Sequence, residues 1–353
     1  MSAVEHEREL SRRGDGRDFA LSIVVPAFNE QEVLPEFHRR LCAVLDGLAA
    51  TCEVVYVNDG SRDHTLEVMR QLQSGDPQVS IVDLSRNFGK EAALTAGLDH
   101  AVGDAVVVID ADLQDPPELI PELLAQWRAG YDVVFARRTQ RDGESLLKRA
   151  TASGFYRVIQ RVSLVEIPSD TGDFRLLSRR AVEALKLLRE QHRFMKGLFA
   201  WIGFPQAAVP YRRDARFAGK TKWNYWKLWN FALEGITSFT IAPLKIATYV
   251  GISVALAAFG FASWIIYKTI MFGDPVRGYP SLMVVVLFLG GVQLLFIGVM
   301  GEYLGRVFNE TKRRPLYFVS EYTKATVMVE AGRAASPVVN VAAHRREHSS
   351  IGR

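Results

Sequence analysis

Two long stretches without a charged residue constrain this chain more than any other feature. Between Lys245 and Lys268 lie 22 uncharged residues (Ile246 to Tyr267), and between Arg277 and Glu302 lie 24 (Gly278 to Gly301). A bilayer core of ~30 Å needs about 20 helical residues, so each run is long enough to span. The second predicted span follows the first after a short connector, Met271–Pro280, that contains Gly-Asp-Pro. The expected hairpin occupies 241–306, with spans at about 243–268 and 280–304. A buried hairpin of a soluble protein is the alternative. Lys220, Lys222, Lys227 and Lys245 precede the hairpin, and Arg306, Lys312, Arg313 and Arg314 follow it; the connector holds only Arg277, with Lys268 near the end of the first span. The positive-inside rule therefore predicts both termini in the cytoplasm. Residues 1–18 are highly charged and lack an apolar h-region, so no secretory signal is expected. The chain reads as a cytosolic domain held on the inner (plasma) membrane.

Composition removes other classes. An excess of only +4 charges argues against nucleic acid bound by bulk charge. A chain that is 48% hydrophobic and 23% charged is not a disordered one. Cys42 and Cys52 make no disulfide scaffold; with no CxxC, and read as having no histidine partner nearby, they predict no zinc site.

Ahead of the hairpin, strand and helix patterns alternate. Leu21–Ala27, Glu53–Asn58, Ser80–Leu84, Ala105–Ile109 and Asp132–Ala136 are short β-branched runs. Near-continuous apolar runs are what strands buried on both faces require. Helical spacing fills the gaps at Glu30–Leu48, Asp63–Leu72, Gly89–His100 and Pro117–Trp127. The pattern predicts an α/β, doubly wound domain whose ligand sits at the carboxyl ends of the strands. Polar clusters fall at those ends: Phe28-Asn29-Glu30, Asn58-Asp59-Gly60-Ser61, Ser85-Arg86-Asn87, Asp110-Ala111-Asp112 and Arg137-Arg138. No GxGxxG follows the first strand and no GxxxxGK[ST] is present, which excludes a redox Rossmann domain and a P-loop.

The sharpest chemical signal is Val108-Ile109-Asp110-Ala111-Asp112-Leu113-Gln114-Asp115-Pro116. Carboxylates one residue apart where the chain leaves a strand suit Mg2+ or Mn2+, with water and diphosphate oxygens completing the shell. Asp110, Asp112 and the Gln114 carbonyl are the predicted ligands. A solvated acidic turn is the plainer alternative.

Taken together, VPAFNE, VNDGS, LSRNFGKE, DADLQDPPE, TGDFRL and RFAGKTKWNYWKL closely resemble the family 2 glycosyltransferases that act on polyprenyl phosphates, among them the dolichol-phosphate mannose synthases and the two-helix bactoprenol glucosyltransferases. The resemblance runs from about Leu21 to Phe308. It implies a GT-A catalytic domain over 19–210, with juxtamembrane helices over 211–240 and a cytosolic C-terminal tail over 307–353; the polar or small-residue-rich composition of 1–18 and 331–353 marks those ends as mobile. It also implies metal-dependent, inverting transfer of a sugar from a nucleotide diphosphate to a polyprenyl (undecaprenyl) phosphate. UDP-glucose is the donor it favours, GDP-mannose or another UDP-sugar being alternatives, and it points to a homotetramer.

Position by position, the resemblance assigns Pro26, Phe28, Glu30, Val57, Asp59, Ala111 and Arg137 to the nucleotide sugar. Phe28 stands where the family has tyrosine, and the Asp59 carboxylate is placed to accept from a uracil N–H. Pro26 and Val57 are equally suited to shaping strand ends. Lys90, Arg175, Arg216 and Lys222 are assigned to the acceptor phosphate.

Asp173, in Thr171-Gly172-Asp173-Phe174-Arg175, is the candidate catalytic carboxylate. It could take a residual proton or orient Arg175 and Lys90. Capping a helix over Ser178–Leu188, or a buried ion pair with Arg175, is the structural alternative, and Asp170 is the carboxylate most easily confused with it. None of the residues assigned to the nucleotide is Asp173, so Asp173→Asn is expected to lower turnover and spare donor affinity.

In Arg212–Trp229 basic residues alternate with aromatics, which beside a span reads as an interfacial belt rather than a single-strand nucleic-acid site. Arg193–Trp201 reads as a second segment lying on the bilayer. A processive polysaccharide synthase would carry QxxRW and more spans, and a nucleotidyltransferase an early GxGxR loop; neither is found. A catalytically inactive nucleotide-sugar-binding scaffold is the alternative of a different class.

Overall fold

A computed structural model describes residues 19–139, 171–191, 193–211, 242–272 and 278–326. In chain order the elements are β1 (Phe19–Ala27), α1 (Leu34–Leu45), β2 (Ala50–Asn58), α2 (Thr65–Gly75), β3 (Val79–Leu84), α3 (Lys90–His100), β4 (Ala105–Val108), a 3₁₀ turn (Pro117–Leu119) and α4 (Ile120–Arg128). Then follow β5 (Val133–Arg138), β6 (Thr171–Ser178), α5 (Arg179–Leu187), α6 (Met195–Trp201), β7 (Gln206–Tyr211), α7 (Ala242–Phe272), α8 (Tyr279–Thr311) and β8 (Val319–Thr323).

The strands form one eight-stranded sheet in the order β7-β5-β6-β4-β1-β2-β3-β8. β3, β2, β1 and β4 are mutually parallel, and β6 runs antiparallel to both β4 and β5. The apolar runs are continuous because both sheet faces are covered. On β1, Ile23 and Val25 join a core with Phe37, Leu41 and Trp127, while Val24 joins a second with Val57, Leu94, Val182 and Phe199. α1 buries Leu34, Phe37, Leu41 and Leu45, one stripe at helical spacing.

Three strands go beyond the expected alternation. β6 enters between β4 and β5, so Ser178, rather than Asp173, ends the strand and caps α5, accepting from Ala181 N at 3.3 Å. β7 pairs with β5 in parallel. After α8 the chain returns to the same sheet and adds β8 antiparallel to β3. Tyr317 donates to Asp99 at 2.6 Å, and Arg70 meets Glu321 at 2.8 Å. This part of the predicted tail is thus bound into the domain.

The expectation that Arg193–Trp201 lies on a bilayer is corrected. Met195, Gly197, Leu198, Phe199 and Ala200 are buried in the protein core; only Trp201, 57% exposed, faces outward. Its apolar face is satisfied by the sheet, not by lipid.

α7 has 31 residues and α8 has 33, each longer than the about 20 that a bilayer core needs. Large apolar side chains, including Phe259, Trp264, Leu294 and Ile297, lie exposed along them. Such a surface marks contact with lipid or a partner. Phe288–Thr311 is long and apolar enough to cross a membrane by length and composition, with mean hydropathy 1.4.

Candidate functional site

The parallel strands deliver their polar loops to one edge of the sheet. β1 ends at Ala27, β2 at Asn58, β3 at Leu84 and β4 at Val108. Strand β6 passes that edge in the opposite direction, with Arg175 opposite Val108. Asp110, two residues after Val108, and Asp173, two residues before Arg175, therefore come to the same place. This antiparallel strand unites the two carboxylates that sequence spacing leaves unrelated.

Lys90, at the first position of α3, joins them. Its Nζ lies 2.7 Å from Asp110 Oδ2 and also bonds Asp173 Oδ2. Burial opposes the Lys90 charge, but the two carboxylates outweigh it and raise its pKa. Burial would likewise raise the Asp173 carboxyl; Lys90, Lys196 and Arg175 instead hold it well below the usual carboxylate range. Asp110 moves the other way, pushed up by burial and by Asp173 and Asp115 against the pull of Lys90. Asp173 Oδ1 is buried with no hydrogen-bond partner among the described residues.

The Asp110–Asp115 loop turns sharply at Leu113, whose φ of 58° is uncommon for a bulky side chain. Gln114 N donates to Asp112 Oδ1 at 3.2 Å. Ala111, Gln114 and Asp115 are buried, while Asp110 and Asp112 keep partial access to solvent. Hard carboxylate oxygens at a strand end, with a cation already drawn to one of them, fit Mg2+ or Mn2+. Asp110 and Asp112 are the residues that would hold it, with Gln114 beside them.

On the nucleotide side, Pro26 and Val57 are direct neighbours across β1 and β2, both buried. Phe28 is 37% exposed, and Glu30 N donates to Thr65 Oγ1 at 2.9 Å. Asp59 is buried and accepts from Phe88 N at 2.7 Å and Gly89 N at 3.0 Å. Burial pushes its carboxyl up in spite of these amides. Asp59 therefore ties the β2 loop to the start of α3, and a uracil would have to share oxygens already engaged there.

Two of the assigned arginines have neighbours of their own. The Arg175 guanidinium is buried, lies 3.8 Å from the centre of the Phe199 ring, and donates to the backbone oxygens of Gly172 (2.8 Å) and Asp173 (3.3 Å). Arg175 shapes the Asp173 turn. Asp173 does not pair with it side chain to side chain; Lys90 takes that place. Of the β5 arginines, Arg137 is exposed, whereas Arg138 turns inward, donating to Tyr211 at 3.2 Å and lying 4.0 Å from Asp115. Tyr211 in turn donates to Asp115. Arg216, Lys222 and Asp170 lie outside the described residues.

Sequence reasoning missed Arg138, Glu91 and Lys196. Burial, aided by Asp173, pushes Glu91 up to about 7, while burial and neighbouring cations lower Lys196. Beside Lys90 opens a cleft of about 660 Å³. Arg86, Phe88, Lys312, Arg314 and Phe318 are among its lining residues, so it reaches from α3 to the carboxyl end of α8.

A doubly wound sheet with an Asp-x-Asp loop at its carboxyl edge, crossed by an antiparallel strand carrying a third carboxylate, defines a GT-A glycosyltransferase. Residues 22–186 match Glycosyl transferase family 2, and residues 242–307 match the GtrB C-terminal hairpin. The chain belongs to glycosyl transferase family 2. It is 56% identical over 301 residues to an uncharacterized glycosyltransferase of Synechocystis sp., covering 85% of this chain and 95% of that one. It is 50% identical over 304 residues to a prophage bactoprenol glucosyl transferase homolog of Escherichia coli, covering 86% and 99%. Among solved structures, a mannosyltransferase of Pyrobaculum calidifontis in complex with GDP-Man and Mn2+ is 18% identical, with a TM-score of 0.44, over 88% of this chain and 95% of that one.

Proposed function

We propose that this glycosyltransferase transfers glucose from UDP-glucose to a polyprenyl (undecaprenyl) phosphate at the inner membrane, inverting the anomeric centre. A phosphate oxygen of the acceptor attacks the anomeric carbon; the bond to UDP breaks and its electron pair leaves on the diphosphate. The likeness to bactoprenol glucosyl transferase relatives supports the acceptor and the sugar. The observation that carries the reading is the Asp110–Lys90–Asp173 cluster opening beside a basic cleft that reaches the end of α8. A soluble donor and a lipid that never leaves the membrane can meet only at such a junction.

A divalent ion at Asp110 and Asp112 would supply Lewis-acid neutralisation of the departing diphosphate. Asp173 acts by position. The acceptor phosphate is already largely ionised at neutral pH, its second pKa being near ~6, and a carboxylate held far below neutrality is a weak base. Asp173 fixes Lys90 between donor and acceptor phosphates, and Lys90 balances their charge. Arg86, Lys312 and Arg314 attract the acceptor headgroup.

The hairpin is read as two spans with both termini cytoplasmic. That reading is supported by β7 before it and β8 after it belonging to one sheet, so the chain enters and leaves on one side. Cysteine labelling that placed Gly278 on the side of the catalytic domain would overturn it.

The deciding experiment is transfer from radiolabelled UDP-glucose to undecaprenyl phosphate in detergent. Glucose should appear in the lipid fraction with Mn2+ or Mg2+, and not with EDTA or in Asp112→Ala. Lipid labelling that persists in both, or that arises from another nucleotide sugar and never from UDP-glucose, sinks the metal role or the donor respectively.

A further inference from the structure

We propose that His38, Cys42 and Asp76 form a zinc(II) site at the edge of the sheet opposite the catalytic loops. His38 and Cys42 lie one turn apart on α1. Asp76 is the residue after α2, in the turn that leads into β3. α1 descends from the carboxyl end of β1 to the amino end of β2, so this cluster is separate from Asp110 and Asp112. The reading of Cys42 as lacking a histidine partner is corrected by the same geometry.

The three donor atoms form a nearly equilateral triangle. His38 Nε2 lies 3.5 Å from Cys42 Sγ and 3.5 Å from Asp76 Oδ2, and Cys42 Sγ lies 3.7 Å from Asp76 Oδ2. Tetrahedral zinc, with bonds of about 2.05 Å to N, 2.0 Å to O and 2.3 Å to S, separates its ligands by about 3.6 Å (N to S), 3.3 Å (N to O) and 3.5 Å (S to O). The triangle is therefore within about 0.2 Å of the one zinc needs, before any adjustment. An ordinary hydrogen-bonded trio has similar edges, so the surroundings must distinguish the two.

Those surroundings favour a cation. Metal-bound histidines donate their second ring nitrogen to an outer partner, which fixes the tautomer. Here His38 Nδ1 lies 3.0 Å from the hydroxyl of Tyr56, a fully buried residue. Asp76 is oriented too: its Oδ1 accepts from Gln78 N at 2.8 Å, which directs Oδ2 to the triangle. The His38 and Asp76 side chains are 12% and 17% exposed, leaving solvent a path to a fourth ligand position. On binding, the Cys42 proton goes to solvent, and thiolate and carboxylate balance the two charges of zinc. The bound ion would clamp α1 to the turn before β3.

The test uses the full chain in detergent, stripped of metal and titrated with Co2+ as a spectroscopic stand-in. The wild type should develop a thiolate-to-cobalt charge-transfer band and strong tetrahedral visible bands, both abolished by stoichiometric Zn2+. Cys42→Ser should lose the charge-transfer band, and Asp76→Asn should weaken binding. Cys52→Ser and Asp112→Ala should keep the band, because the first thiol lies elsewhere and the second site is all oxygen. Tyr56→Phe, which leaves the ligands intact, should weaken Zn2+ binding by about 10-fold or more. No band at a millimolar excess of Co2+, or a band that survives Cys42→Ser, overturns the proposal and leaves a hydrogen-bonded trio.

Discussion

Lys90 lies 2.7 Å from Asp110 with its ammonium bonded to Asp173 as well, so one side chain from α3 couples the end of β4 to the middle of the antiparallel strand beside it. Asp110, Lys90 and Asp173 are one electrostatic unit. Removing any member alters the charge felt by the other two, and that coupling shapes the predictions.

Lys90→Met removes the one cation bonded to both Asp110 and Asp173, leaving Lys196 and Arg175 to offset Asp173 alone. Melting temperature should fall at neutral pH, and turnover should fall by about 10²–10³, the range for losing one preorganised electrostatic donor. Divalent ions should then bind more tightly, because the lysine no longer competes for Asp110. Differential scanning fluorimetry checks this: Mn2+ should stabilise the variant more than the wild type. An equal shift in both would show that lysine and metal do not compete.

Glu91→Gln should stabilise the protein at alkaline pH. Burial, with Asp173 adding to it, raises the Glu91 carboxyl to about 7, above its unfolded value of ~4.3. A raised carboxyl favours the protonated form in the folded state, so the ionised form costs stability. That cost begins as pH climbs past the unfolded value and is complete above the folded one. The gain in melting temperature over wild type should therefore be small at about pH 5 and largest at about pH 8. A gain independent of pH would place its origin outside this ionisation.

Why some of this was legible in sequence and some was not follows from what each signal encodes. Leu21–Ala27 and Ala105–Val108 are buried on both faces, and a continuous apolar run records that directly. β6 is also buried, but it carries Asp173 and Arg175, so its strand pattern is broken by the residues that make the site. β8 is an edge strand exposed along its whole length, leaving no alternation to read. Met195–Trp201 has the composition of an interfacial helix; only the sheet packed against Phe199 distinguishes it from one. The choice between Arg137 and Arg138 turns on a single residue of register, since neighbours on a strand face opposite ways. The Asp110-Ala111-Asp112 loop was legible because its chemistry is local. Lys90 was reached through the LSRNFGKE motif, whereas Glu91 and Lys196 belong to the site through contacts that no spacing records.

Gly60→Ala should be poorly tolerated. Gly60 has φ +61°, and a Cβ there would lie 2.4 Å from the backbone carbon of Arg86. Left-handed backbone costs an L-residue roughly 1–2 kcal/mol, and the collision is with main chain, which has no rotamer to escape into. The β2 loop would separate from the Arg86–Asn87 segment, carrying with it the Asp59 bonds to Phe88 and Gly89. A loss of about 2 kcal/mol or more in urea unfolding is expected, with weaker donor binding by calorimetry. Wild-type stability in the variant would mean that the two loops are not packed as described.

Asp173→Asn tests the whole arrangement. Sequence alone suggested that turnover would fall with donor affinity almost untouched, because no nucleotide-holding residue was Asp173. Lys90 changes that expectation. Without the Asp173 charge, the lysine is left to Asp110, where it competes with the metal, and the negative potential that draws a divalent ion falls. Turnover should drop by about 10²–10⁴ for a lost positioning carboxylate, and apparent Mn2+ affinity should drop several-fold with it. Melting adds an independent readout. The folded pKa of Asp173 lies below its unfolded value of ~3.9, so its ionised form stabilises the native state. That contribution is whole above about pH 4 and fades as pH falls through the folded value. Wild type should melt higher than the variant at pH 7, and the gap should narrow in acid. Ordinary turnover and unchanged Mn2+ affinity, combined with a lower melting temperature at pH 7, would make Asp173 a structural partner of Lys90 and nothing more.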